Sequence, residues 1–189
     1  EDVKEETIIS EYLNLVVTSS EQLKEYVNKL LTYYTSDNLI VSKTRFPLAD
    51  LISEINQIVN ANNEAEIVTD FDGNLEIITD KTALSQILIN IISNGIKYNI
   101  TDKPIIKITN NIVNFKSNIS ISDNGIGIDT QNFETIFQNN KTLSKKDRYG
   151  NYGTGLGLAI VMNLTQKIDF DIKVSSEIGK GSTFTLMEK

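Results

Sequence analysis

The chain of 189 residues contains no histidine and no cysteine. The first absence removes Ser-His-Asp triads, His-ligated zinc and an imidazole general base together. The second removes disulfides and thiolate chemistry, without fixing a compartment. There is no run of about 18 apolar residues, so no segment reads as a membrane span. The first residues, Glu1-Asp2-Val3-Lys4-Glu5-Glu6, are acidic and helix-like and do not read as a secretory signal. Positive charge is scarce: 18 Lys and Arg face 25 Asp and Glu, for a net charge of -7. A nucleic-acid binder would show the opposite balance. What is present is an ordinary globular composition, 40% apolar and 23% charged. Its length suits one domain, or one domain with an appendage.

The sequence divides unequally. Residues 5–35 contain neither glycine nor proline, and apolar positions recur at Ile9, Leu13, Val16, Leu23, Val27, Leu30 and Tyr34. With Ser20 in the missing slot, this is a heptad seam on a long helix. Ile8, Tyr12, Leu15 and Tyr26 widen it, as on a bundle helix. Such a face needs a cover, expected from another helix or another chain. Thr35-Ser36-Asp37-Asn38 ends it. Short strands and amphipathic helices then alternate. Strands are expected at 39–46, 66–71, 75–78, 105–109, 118–122, 170–174 and 183–187. Asp72-Gly73 reads as the turn of a hairpin joining the second and third. Helices are expected after Pro47, from Lys81 to Tyr98 behind a Thr79 or Asp80 cap, briefly at 133–137, and from Leu156 to Lys167. The whole predicts an α+β fold: a two-layer α/β sandwich with helices on one face of a mixed sheet, preceded by the long helix.

Four motifs carry candidate chemistry. In the helix through Asn90 and Asn94, the two carboxamides are four apart and share a face with Lys97. Stacked carboxamides offer neutral oxygens to a hard cation and N–H donors to phosphate, and a lysine adds a point charge. Two solvent-facing asparagines are the plain alternative. Gly95, costly inside a helix, implies a close approach by another group. In Asp123-Asn124-Gly125-Ile126-Gly127 an alternating strand ends in a carboxylate and two glycines. This is either a tight turn or an acceptor for a ligand amine beside backbone that a flat ring can approach. Gly153-Thr154-Gly155-Leu156-Gly157-Leu158 opens a helix whose free N–H groups favour an anion. It lies late in the chain behind a polar loop, unlike a dinucleotide fingerprint. That loop carries Lys141, Lys145, Lys146 and Arg148 against Asp147 alone. Glu177 to Phe184, with Gly179-Lys180-Gly181, lacks the residues of a Walker loop and reads as a turn between strands.

In order and spacing these motifs closely resemble the catalytic ATP-binding domain of sensor histidine kinases, of the superfamily shared with gyrase, Hsp-type chaperone and mismatch-repair ATPases. The asparagine helix is similar to its N box, and Asp123 to Gly127 to its first glycine box. Phe133-Glu134-Thr135-Ile136-Phe137 resembles the F box, Gly153 to Leu158 the second glycine box, and Gly179 to Phe184 the last. The first helix resembles the second helix of the dimerisation and phosphoacceptor hairpin, with Leu30-Leu31 near its end. The implied division is 1–36 for that partial hairpin and 37–189 for the catalytic domain.

The resemblance implies ATP and Mg²⁺ as ligands. Asp123 would receive the adenine amine, supported by Ser182 or Thr183. Gly125, Gly127 and Ile128 would flank the base, and Tyr98 would lie against it. Asn90 and Asn94 would hold Mg²⁺ and phosphates, with Lys97 on phosphate; these three are the catalytic candidates. Gly153, Thr154, Gly155, Leu156, Gly157 and Leu158 would start the phosphate-facing helix, and residues 138–152, Arg148 among them, would form a mobile lid. The implied function is transfer of the ATP γ-phosphate to a histidine outside this chain, in a bacterial, cytoplasmic two-component system. Its partners would be a response regulator and a second copy, through the hairpin helices. The alternative is a degenerate kinase acting as a nucleotide-gated interaction module. The sequence departs from the family in Gly95, where alanine is more common, in Gln138-Asn139-Asn140 after the F box, and in lacking an acceptor histidine.

Overall fold

The computed structural model describes residues 2–36, 40–113, 116–143 and 145–189. Asp37, Asn38 and Leu39, and with them parts of the expected helix end and first strand, lie outside the described residues. So does the side chain of Ile8.

The glycine-free segment forms one helix, α1 (Asp2–Ser36), about 50 Å long at 1.5 Å per residue. Its heptad positions remain open to solvent: Leu13 is 60% exposed, Val16 61% and Leu23 63%. Near its end Leu30 packs against the core, and α1 lies on α4 (Gly157–Lys167). The seam predicted from the sequence is therefore present and, within one chain, uncovered.

The sandwich follows. Helices α2 (Leu48–Val59), α3 (Lys81–Lys97) and α4 lie over five strands in the order β2 (Glu66–Asp70), β4 (Ile105–Val113), β5 (Lys116–Asp123), β7 (Gly181–Glu188) and β6 (Phe170–Glu177). The β2–β4 pair is parallel and the other pairings are antiparallel. Period-two alternation sends Ile106, Ile108, Ile119, Ile121, Phe184 and Leu186 inward, against Leu84, Ile87, Leu88 and Ile92 of α3 and Ile160 and Val161 of α4. Each such side chain contributes about 1.5–3 kcal/mol on burial. The opposite face is polar. There Ser120 Oγ meets Thr185 Oγ1 at 3.0 Å, and Ser122 Oγ meets Thr183 Oγ1 at 2.8 Å.

One expectation fails. The strands at 66–70 and 76–80 do not form a hairpin. β3 (Glu76–Asp80) pairs instead with β1 (Lys43–Pro47), setting Phe46 opposite Ile77 in a separate two-stranded sheet. The Asp72 turn does form, with Asn74 N donating to Asp72 Oδ1 at 2.9 Å and Leu75 N to Asp72 O at 2.9 Å. Its chain then leaves the first strand, because both strands have better partners. β2 completes the edge beside β4, and β3 buries Ile77 and Thr79 against the helices. Residues 133–137 are also not a helix; they form turns after a 3₁₀ turn at Thr130–Asn132. Pro47 precedes α2 as its cap residue, and Asp80 caps α3 by accepting from Ala83 N at 2.9 Å.

Candidate functional site

A cavity of about 870 Å³ opens between α3, the start of α4 and the 138–152 loop. It gathers most of the predicted residues: Asn90, Asn94, Lys97, Tyr98, Asp123, Gly127, Ile128, Gly153, Thr154, Gly155, Gly157, Leu158 and Ser182 all line it. Four predicted residues do not line it, namely Gly125, Arg148, Leu156 and Thr183.

At one end stands Asp123, the last residue of β5. Its Oδ1 accepts from Gly125 N at 2.8 Å and Ser182 N at 3.3 Å. Burial pushes its carboxyl up, and these two donors hold it partly down. A partly buried carboxylate with acceptor capacity left over is suited to a ligand N–H. Gly95 is explained here. A methyl group at that position would lie 2.7 Å from Ile106 Cδ1, the free end of a side chain that would have to shift, and 3.1 Å from Asp123 Cβ, so the strand carrying the carboxylate approaches α3 closely here. Of the two residues expected to support Asp123, Ser182 does so through its main chain. The Thr183 hydroxyl points to Ser122 on the other side of the sheet, because alternate residues of a strand face opposite ways.

At the other end, Asn90 Nδ2 donates to Gln86 O at 2.8 Å. That use of the nitrogen leaves Oδ1 facing Gly157, the first residue of α4. An oxygen presented in this way fits a hard cation that keeps mostly water and phosphate ligands. Among the described residues no cluster of three or more acidic side chains is placed to hold a metal. The Tyr98 hydroxyl rests against Gly153, and burial, then Asp147, pushes its pKa up.

The loop over the cavity is tied at both ends. Asn140 N donates to Gly155 O at 3.1 Å, and Arg148 N to Lys97 O at 2.9 Å. Asp147 folds the tip by accepting from Tyr149 N at 3.0 Å and Asn151 N at 2.8 Å. Lys146 sits 5.5 Å from the Tyr152 ring centroid. Arg148 does not line the cavity, and the Tyr149 hydroxyl donates to Glu64 Oε2. The predicted F box packs as expected of aromatics, with Phe137 edge-on to Phe184 at 6.4 Å and 89°.

Sequence reasoning missed several contributors. Ser176 Oγ accepts from Ile128 N at 2.8 Å and donates to Gly181 O at 2.7 Å, joining the first and last glycine motifs. Asn99, fully buried, donates to Asn124 Oδ1 at 2.6 Å and accepts from Thr101 N at 3.0 Å. Asn124 Oδ1 also receives Ile105 N at 2.8 Å. No spacing rule marks either residue. An Asn after a long helix was the one available hint of a buried polar knot.

A mixed sheet under three helices, with a glycine-lined, lysine-rimmed cavity beside α3 and α4, defines a two-layer α/β sandwich. Residues 79–188 match the family described as histidine kinase-, DNA gyrase B- and HSP90-like ATPases. The chain belongs to that family. It is 32% identical over 185 residues to the autoinducer 2 sensor kinase/phosphatase LuxQ of Vibrio parahaemolyticus, covering 89% of this chain and 21% of LuxQ. It is 29% identical over 188 residues to the signal transduction histidine-protein kinase ArlS of Staphylococcus aureus, covering 97% of this chain and 42% of ArlS. The chain thus spans well under half the length of either relative. Full-length ShkA in complex with AMPPNP shares the fold, with a TM-score of 0.77 at 22% identity over 94% of this chain and 38% of that one. Among the described residues no helix is long and apolar enough to cross a membrane.

Proposed function

We propose that this chain binds ATP with Mg²⁺ in the cavity and serves as the catalytic core of a two-component sensor histidine kinase. The carrying observation is what one cavity gathers: a partly buried carboxylate, Asp123, together with Asn90, Asn94 and Lys97. Asp123 takes the adenine amine, which selects adenine over guanine. Gly127 and Ile128 flank the base, with Tyr98 against it. Gly125 acts one step back, its N–H holding the Asp123 carboxylate. Asn90 Oδ1, with Asn94 beside it, meets the cation, which neutralises phosphate charge. Lys97 and the main chain from Gly153 to Leu158 meet the phosphates, with Leu156 serving as an anchor in the core. Such a site works by positioning and charge neutralisation. A P–N bond forms to an acceptor imidazole outside this chain as the bond from the γ-phosphorus to the β–γ bridging oxygen breaks and ADP leaves.

In this reading residues 1–36 are a hairpin helix whose uncovered seam meets its hairpin mate and a second copy, and 37–189 are the catalytic domain. A response regulator receives the phosphoryl group downstream. The relatives' names and the exposed seam support this organisation.

The test has two stages. Calorimetry with ATP, with and without Mg²⁺, and with GTP should show Mg²⁺-enhanced, adenine-selective binding. Absence of binding by the folded chain rejects the site. Labelled ATP is then supplied with a histidine-bearing hairpin from a relative. Transfer establishes the kinase, and binding without transfer leaves a nucleotide-gated module.

A further inference from the structure

The cavity wall includes residues that lie outside both the motifs and the sandwich. Lys29 and Thr32, near the end of α1, line it together with Gln86, Ile89 and Ser93 of α3 and Leu158 of α4. Their position is fixed by packing. Leu30 is set into the core and α1 lies on α4, while the Thr32 hydroxyl donates to Asn28 O at 2.9 Å within its own helix.

Two observations bear on where α1 meets the cavity. The first residue of α4 faces Asn90 Oδ1, and α1, which carries Lys29 into the cavity lining, lies on α4. Asp123, in turn, abuts Gly95, and Gln86 is nine residues before Gly95, about 13 Å back along α3. The charges agree. The lining residues include four lysines, Lys29, Lys97, Lys141 and Lys145, against two acids, Asp123 and Asp147, in a chain of net charge -7. A wall of that sign suits a polyanion.

We propose that Lys29 is a phosphate-contacting residue, and that the terminal phosphate of ATP thereby bridges the long helix to the sandwich. The inference rests on the nucleotide reading above. Its consequence is directional: ATP holds the end of α1 against α4, and ADP, lacking that phosphate, holds it less. The helix then reports which nucleotide is bound. The competing role for Lys29 is structural, an aliphatic stem covering Ile89 and Leu158 with its ammonium engaged within the chain.

The full chain is titrated with ATP and with ADP, as wild type, Lys29→Ala, Lys29→Arg and Lys24→Ala. Lys24 is exposed on the same helix and does not line the cavity. For Lys29→Ala the expected loss is roughly five- to tenfold in ATP affinity and less than twofold for ADP. Lys29→Arg should restore most of the loss, and Lys24→Ala should match wild type. Amide exchange supplies a second readout. ATP should slow exchange across residues 26–34 in wild type and not in Lys29→Ala. Unchanged ATP affinity in Lys29→Ala, or equal losses for ATP and ADP, overturns the inference while leaving nucleotide binding intact. A wild-type chain that binds neither nucleotide overturns the nucleotide reading and this inference with it.

Discussion

The two ends of the cavity are built differently. The Asp123 end is held by strands and by a connected set of mostly half-buried hydrogen bonds. Asp123 accepts from Gly125 N and Ser182 N, Ser176 joins Ile128 to Gly181, and Asn99 locks Asn124 against Ile105 N. The lid end is held by a few bonds at the surface: Asn140 to Gly155, Arg148 to Lys97, and Tyr149 to Glu64. Buried networks resist local opening, whereas solvent-exposed ties with little apolar contact open at low cost. The contrast fits one rigid recognition end and one closing end.

The largest expected effect falls on the rigid end. Gly181 has φ of 106°, and a methyl group there would overlap the Asp123 carbonyl oxygen. Gly181→Ala should cost about 3 kcal/mol or more, combining left-handed strain with backbone displacement. Chemical denaturation would show it, and a near-neutral result would mean that this end is softer than its hydrogen bonds imply. Next comes Asn99→Ala, which strips buried partners from Asn124 and Thr101 and should cost about 2–3 kcal/mol.

Asp123→Asn separates recognition from rigidity. The Asn oxygen still receives Gly125 N and Ser182 N, so the fold stands. In the proposed site the adenine acceptor would lose its charge, and ATP binding should weaken by about 1–3 kcal/mol, roughly five- to 150-fold in Kd. The pH dependence has two opposite signs. Burial raises the carboxyl pKa in the folded state. Its contribution to stability is therefore full below the unfolded pKa and is lost as pH rises through the folded one. ATP affinity runs the other way, falling as pH drops through that raised pKa and the acceptor is protonated. Melting curves and calorimetry from acid to neutral pH should show both trends as the difference between wild type and Asp123→Asn.

This contrast also marks what was legible in the sequence. The glycines and asparagines of the site were readable because each is disfavoured where it stands. Gly95 inside α3 signalled the close approach that Ile106 and Asp123 make. The strands around the site were readable from alternation. The β2–β3 hairpin was misread, because a turn dipeptide reports local geometry while pairing is decided by which edge is free. Arg148 and Thr183 were misplaced for a related reason: charge composition and box membership do not say which way a side chain points. Lys29 carried no signal at all, since only the packing of α1 on α4 brings it to the cavity.

The smallest expected effect tests the lid. Tyr149 and Glu64 hold the loop tip against the chain between α2 and β2. The bond pulls the two groups apart in pKa. The Tyr149 hydroxyl first lowers Glu64, and burial followed by Glu64 pushes Tyr149 up to about 12. The tie therefore holds across neutral pH. It weakens as pH falls through the lowered Glu64 pKa, and as it rises through that of Tyr149. Both groups lie at the surface, so global stability should not move in Tyr149→Phe. Amide exchange across 147–152 should quicken a few-fold at neutral pH. Meanwhile Arg148 Nη1 is buried with no hydrogen-bond partner among the described residues. An unpartnered buried donor favours any rearrangement that satisfies it. Addition of ATP to Tyr149→Phe should accordingly slow exchange across 147–152 to near the wild-type complex. Exchange that stays fast with ATP bound would mean that the Glu64 tie, rather than the phosphates, shapes the closed lid.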